Sequence, residues 1–156
     1  MENRDSFLYR RRTAILFILI LMWTGAFTAT HIPARYITAG YIPGLIASLG
    51  DVVLHGIGFL VLSSWFILTL AAFGVKPKQR ILLVLLIMIV YGAVDEYTQQ
   101  FFGRSTELKD WLSDTTATVI SLILLETILF LAKITGPSTS LRTRRTKIPQ
   151  NERDRE

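Results

Sequence analysis

The chain contains no cysteine. Disulfides, thiol nucleophiles and cysteine-ligated metals are therefore excluded, and the redox compartment stays open. There is no nucleophile elbow, no phosphate-cradling glycine loop and no HExxH pattern. No internal repeat is convincing. No basic stripe with interleaved stacking aromatics is found either, so the formal charge of +5 does not point to nucleic acid. Charge is missing from long stretches: Thr13 to Thr30 reads TAILFILILMWTGAFTAT without one ionisable side chain.

What is there is segregated. Hydrophobic residues make up 51% of the 156 residues, while the 19% that are charged collect at the ends and in short gaps. That pattern marks a single multi-span membrane domain. The expected fold is all-α, a bundle of four transmembrane helices at about residues 13–30, 52–73, 81–102 and 111–132, within a membrane domain of 13–132. The 18 residues from Thr13 to Thr30 suffice to cross a hydrocarbon core of ~30 Å. A basic start before an apolar run also describes a signal peptide, with Ala26, Thr28 and Ala29 near a cleavage position, but the run is longer than an h-region. A retained first span is expected.

Four crossings place both ends on one side, and positive charge indicates which side. Arg and Lys number four in segment 1–12, three in the turn from Gly74 to Arg80 and seven from Lys133 onward. The other side has Arg35, Arg104 and Lys109. The positive-inside rule makes both termini cytoplasmic. Segment 133–156, rich in Arg, Ser, Thr and Pro, reads as a disordered basic tail that meets anionic lipids. The loop from His31 to Gly50 carries Tyr36 and Tyr41, which suit the headgroup level.

The stretch Tyr91 to Asp114, YGAVDEYTQQFFGRSTELKDWLSD, is then outward, and it is dense in ionisable groups. Such groups beside apolar spans are costly unless paired or wetted. Asp51 and His55 are four apart at the start of the second span, and Asp110 and Asp114 four apart at the start of the fourth. Glu96 lies three before Gln99 near the end of the third, and Arg104 follows in the connecting loop. Three helices each offer a polar pair at one membrane level. A shared site is one reading. The other takes these residues one by one: Asp51, Asp110 and Asp114 as helix caps, His55 as a packing donor, Arg104 as a lipid-phosphate contact. Glu126 stands apart, with a side chain expected to reach toward the basic tail.

On these residues the chain resembles the VanZ-like family of small bacterial integral membrane proteins. One motif is Asp51 and His55 in DVVLHGIGFLVL; the other is Glu96, Gln99, Gly103, Arg104, Asp110 and Asp114 in DEYTQQFFGRSTELKDWLSDTTAT. The resemblance covers about residues 13 to 132. Two positions depart from the family pattern: Thr118 where a glycine is common, and Phe102 where proline often precedes the Gly-Arg pair. The resemblance implies a multi-pass protein of the bacterial plasma membrane, of a type whose founding member is associated with teicoplanin resistance. It implies no settled biochemical activity.

Two functions follow as expectations. In the first, the outward site binds a cell-wall precursor or a lipid headgroup, with Arg104 holding an anionic group and Gln99, Asp110 and Asp114 completing the pocket. In the second, the protein is an intramembrane enzyme on a lipid-linked phosphate, with His55, Asp51 and Glu96 in acid–base roles and Arg104 stabilising negative charge. A divalent cation on Asp110, Asp114 and Glu96 is a third arrangement, but the spacing matches no dedicated metal motif, so neither metal nor cofactor is expected. The oligomeric state is not encoded.

Overall fold

The computed structural model describes residues 7–33 and 50–135, apart from the side chains of Asp51 and Thr135. Among the described residues there are four long helices, one 3-10 turn and no strand. Helix α1 spans Phe7–Thr30, α2 Asp51–Ala72, α3 Pro77–Gln99 and α4 Leu108–Thr135, with the 3-10 turn Gln100–Phe102 extending α3. All four are long and apolar enough to cross a membrane. Segments 1–6, 34–49 and 136–156 lie outside the described residues, and with them Tyr36, Tyr41 and nearly all of the tail expected at 133–156.

Three helix starts come earlier than hydropathy alone suggests. Helix α1 begins at Phe7 rather than near 13, so Arg10, Arg11 and Arg12 form helical turns. Arginine is a good helix former, and its stem packs on apolar surface while its head stays polar. The Arg12 guanidinium lies 4.3 Å from the ring centre of Tyr9 and 5.7 Å from that of Phe73. Helix α3 begins at Pro77 rather than near 81. Proline suits the first helical position, because its missing N–H has no intrahelical partner there and its φ is already helical. Helix α4 likewise starts at Leu108, three residues before the expected Trp111.

The helices are joined by indoles and small residues. Trp65 Nε1 on α2 donates to the Ile15 carbonyl of α1 at 2.9 Å. Trp23 of α1 sets its ring edge against both Phe66 and Tyr91, at 5.7 and 4.9 Å between centres. The α2–α4 seam is narrow. Ser113 Oγ donates to the Val52 carbonyl at 2.9 Å, and Ser121 Oγ to the Leu60 carbonyl at 2.9 Å. A Cβ on Gly56 would stand 2.8 Å from Ser113 Oγ. Small residues at every fourth position, Ser113, Ala117 and Ser121, let the backbones approach and supply hydrogen bonds where no water competes.

The core is thin: Leu62, Ile67, Val84 and Met88 are buried, while Phe17, Leu82, Leu86, Ile123 and Leu124 are exposed. An outer face that apolar suits hydrocarbon.

Glu126 is where the structure departs most from expectation. Its carboxylate, expected to reach toward the tail, is gripped by Arg80 of α3, Nε to Oε1 at 2.5 Å and Nη2 to Oε2 at 2.6 Å. Arg80 Nη1 also donates to the Val75 carbonyl at 3.0 Å. The planar fork of the guanidinium matches the two carboxylate oxygens, which is why arginine and not lysine serves here.

Candidate functional site

The end of α1, the start of α2, the end of α3 and the start of α4 meet at one level. Residues 80 and 95 of α3 are 15 apart, so this level lies ~22 Å along the helix from the Arg80–Glu126 pair. Its centre is His55, only 4% exposed. His55 Nδ1 lies 3.4 Å from Asp114 Oδ2 and 3.7 Å from Glu96 Oε1. His55 Nε2 faces the Gln99 amide nitrogen at 3.5 Å. A tautomer with its hydrogen on Nδ1 fits these neighbours, since that nitrogen faces carboxylate oxygens and the other faces an amide N–H.

Glu96 is held from two sides. Its Oε2 accepts the backbone N–H of Glu107 at 3.0 Å, just before the first turn of α4, where the helix dipole favours negative charge. Its Oε1 accepts from Gln99 Nε2 at 3.4 Å. Thr106 Oγ1 donates to the Glu96 backbone carbonyl at 3.1 Å, tying the connecting loop to α3. Asp114 is 1% exposed, and its second oxygen, Oδ1, is buried without a hydrogen-bond partner among the described residues. Gly92 makes room for it: a Cβ there would lie 3.6 Å from Asp114 Oδ2 and 3.2 Å from Trp111 Cδ1. Trp111 in turn is fixed by Nε1 donating to the Ile89 carbonyl at 3.1 Å.

The sequence-predicted residues thus fall into four groups. His55, Glu96, Gln99 and Asp114 come together as one contact cluster. Asp110 is buried one turn before Asp114 on α4. Arg104 is aimed elsewhere: its Nη1 donates to the Thr30 carbonyl at the end of α1, at 3.1 Å. That is a favourable place for a cation, at the negative end of a helix dipole. Gly103 makes this turn with φ of +72°, a left-handed conformation that costs a residue with a Cβ ~1–2 kcal/mol. Asp51 opens α2, but its side chain lies outside the described residues.

Thr118 and Phe102 also find places. Thr118 is fully buried, its Oγ1 donating to the Asp114 carbonyl at 2.9 Å. Phe102 sets its ring edge against His31 at 4.9 Å.

A second polar knot adjoins the first and was not foreseen as part of a site. Asp95 is fully buried. Its Oδ1 accepts from Thr30 Oγ1 at 2.8 Å and its Oδ2 from Gln99 Nε2 at 3.0 Å. His31, expected to begin a loop, bridges the same helices. Its Nδ1 lies 2.8 Å from the Phe27 carbonyl and its Nε2 2.8 Å from Thr98 Oγ1. The spacing of Asp95 and Gln99, four apart, was a usable signal for the first link. Nothing local marked His31 or Thr30.

The donor set can bind a cation, or pass a proton between imidazole and carboxylate. His55, Glu96 and Asp114 each offer one ligand atom, and these atoms lie within 4.8 Å of one another. Beside the cluster, on the outer face, runs a groove of about 540 Å³ between α2 and α4, walled by Val53, Ile57, Leu60, Leu112 and Ile120, with Lys109 among its lining. Comparisons with protein-family models, curated proteins and solved structures give no match for this chain.

Proposed function

We propose that the chain is a VanZ-like multi-pass protein of the bacterial plasma membrane that binds the headgroup of a cell-envelope lipid or lipid-linked wall precursor. In this reading both termini are cytoplasmic and the His55 level faces outward. The observation that carries it is the convergence of His55, Glu96, Gln99 and Asp114 from three helices at one end of the bundle. Burying such groups costs several kcal/mol unless they serve one another or a ligand. The excess of Arg and Lys in segment 1–12, the Lys76 turn and the tail supports the orientation. The groove between α2 and α4 suits an acyl chain, with Lys109 in its lining, while Arg104, which donates to the Thr30 carbonyl, is the second cation of this end of the bundle.

A second reading is favoured by one observation, the placement of His55 Nδ1 against two carboxylates. Such an imidazole is a general base or acid for a lipid-linked phosphate, with Glu96 as the complementary acid. Turnover of a lipid-linked phosphate by the purified protein would select this reading over simple binding.

The orientation is tested by single cysteines at Thr106, Pro77 and Ser138, which the cysteine-free background makes clean. A membrane-impermeant thiol reagent on intact cells is expected to label Thr106→Cys alone; labelling of the other two instead removes the envelope reading. Binding is tested in nanodiscs with anionic lipid. Arg104→Ala and Glu96→Ala are each expected to weaken headgroup binding by at least tenfold, the scale of one charge-assisted contact of ~1.5–3 kcal/mol. Unchanged binding with both replaced, at wild-type protein levels, would sink the shared site.

A further inference from the structure

We propose that His55, Glu96 and Asp114 form a binding site for one first-row divalent metal ion, of the Mn²⁺ or Zn²⁺ class. The inference goes beyond headgroup binding and stands without it.

Geometry is the first support. A four-coordinate ion with bonds of ~2.0–2.2 Å spaces its ligands about 3.3–3.6 Å apart. His55 Nδ1 already stands 3.4 Å from Asp114 Oδ2 and 3.7 Å from Glu96 Oε1, and all three ligand atoms fit within 4.8 Å. Small rotations of two carboxylates complete the polyhedron. Gly92 keeps the wall behind Asp114 thin enough for such a movement.

Charge is the second. Among the described residues neither Glu96 nor Asp114 pairs with an arginine or a lysine, although they are 4% and 1% exposed. Buried carboxylates are as a rule paired or metal-bound. Two carboxylates and one neutral imidazole balance a divalent ion, whereas the Nδ1 hydrogen supplies at most one charge to share between them.

The third is an atom with nothing to do. Asp114 Oδ1 is buried and lacks a hydrogen-bond partner among the described residues. In the wild-type site it serves as the second oxygen of a chelating carboxylate, or as acceptor for water on the ion. The set also has its outer support. Gln99 Nε2 is fixed by donating to Asp95 Oδ2 at 3.0 Å, which holds its amide against the His55 ring. Glu96 Oε2 is already held by the Glu107 N–H, which leaves Oε1 for the ion. The imidazole argues against magnesium or calcium, which prefer all-oxygen sites, and toward manganese or zinc. Three protein ligands leave positions for water or a phosphate oxygen.

The test uses the full chain, purified without a histidine tag, stripped with chelator and titrated with MnCl₂ or ZnCl₂. Calorimetry and elemental analysis are expected to find a single bound ion per chain, with a raised unfolding temperature. His55→Gln, Glu96→Gln and Asp114→Asn should each weaken binding on the order of 100-fold, at or above the loss typical of an outer-shell change. Gln100→Ala, exposed where α3 ends, should leave it unchanged. Spin resonance of the Mn²⁺-loaded wild type supplies a readout that does not depend on a variant folding. It should show coupling to one imidazole nitrogen, kept in His31→Gln, the sole other histidine. No ion bound by the wild type, an ion without nitrogen coupling, or affinity retained in the three variants would each overturn the proposal. Headgroup binding that persists in chelator while no ion binds would remove the metal and leave the headgroup reading standing.

Discussion

Two ionic spots, one buried and one half-buried, sit ~22 Å apart along the same helices, and they are built on opposite principles. Arg80 and Glu126 form a closed pair, one cation to one carboxylate, with both oxygens and the guanidinium edge occupied. His55, Glu96 and Asp114 form an open set, two carboxylates to one imidazole, with one carboxylate oxygen unused. The first arrangement satisfies itself and has nothing left to offer. The second leaves a buried carboxylate oxygen without a hydrogen-bond partner among the described residues, and the proposed site rests on that asymmetry.

The contrast can be broken most directly at the closed pair. Arg80→Ala or Glu126→Ala should each cost about 3–5 kcal/mol of stability, because each strands a charge in a low-dielectric place. The double change Arg80→Met with Glu126→Leu should recover most of that loss. Thermal unfolding in detergent reads both, and single variants as stable as wild type would show the pair to be solvated and minor. Gly92→Ala is next in size. Its Cβ would press on Trp111 at 3.2 Å, and overpacking of this kind costs ~1–3 kcal/mol. The same unfolding assay checks it; no loss would mean that α3 and α4 sit further apart than described.

Asp114→Asn sharpens the comparison by its sign. Removing one of two like charges at an open site should leave stability unchanged or raise it by up to ~1 kcal/mol, while ligand binding falls. A loss as large as that of Arg80→Ala would mean that the cluster is another structural pair. The smallest effect belongs to Lys109, whose contact with Glu107 at 2.6 Å is 62% and 37% exposed. Lys109→Ala should stay within ~0.5 kcal/mol of wild type in the same measurement, because water screens an exposed pair. A larger change would give Lys109 a structural role that its exposure argues against.

Much of this organisation was legible in the chain. Four apolar runs separated by charged gaps translate directly into four helices, since a span must satisfy its own backbone in hydrocarbon. The i, i+4 pairs marked faces: Asp51 with His55, and Asp110 with Asp114. Helix starts were less legible, because Arg10 to Arg12 and Pro77 are polar or breaking residues by composition yet acceptable in first turns. Arg104 shows a different limit. Its loop position was clear, but not that Gly103 at φ +72° would turn it toward the carbonyl end of α1.

The sequence by itself determined the four spans, the polar level near their shared end and which residues share a helix face, because each follows from local hydropathy and a 3.6-residue period. Only the tertiary structure decided that His55 meets Asp114 and Glu96, that Asp95 meets Thr30, and that Glu126 meets Arg80. A helical period fixes directions within one helix. Which helix stands opposite, at what rotation and what axial shift, is set by the packing of Gly56, Gly92 and Ser113 against their neighbours, and no spacing along one chain encodes that.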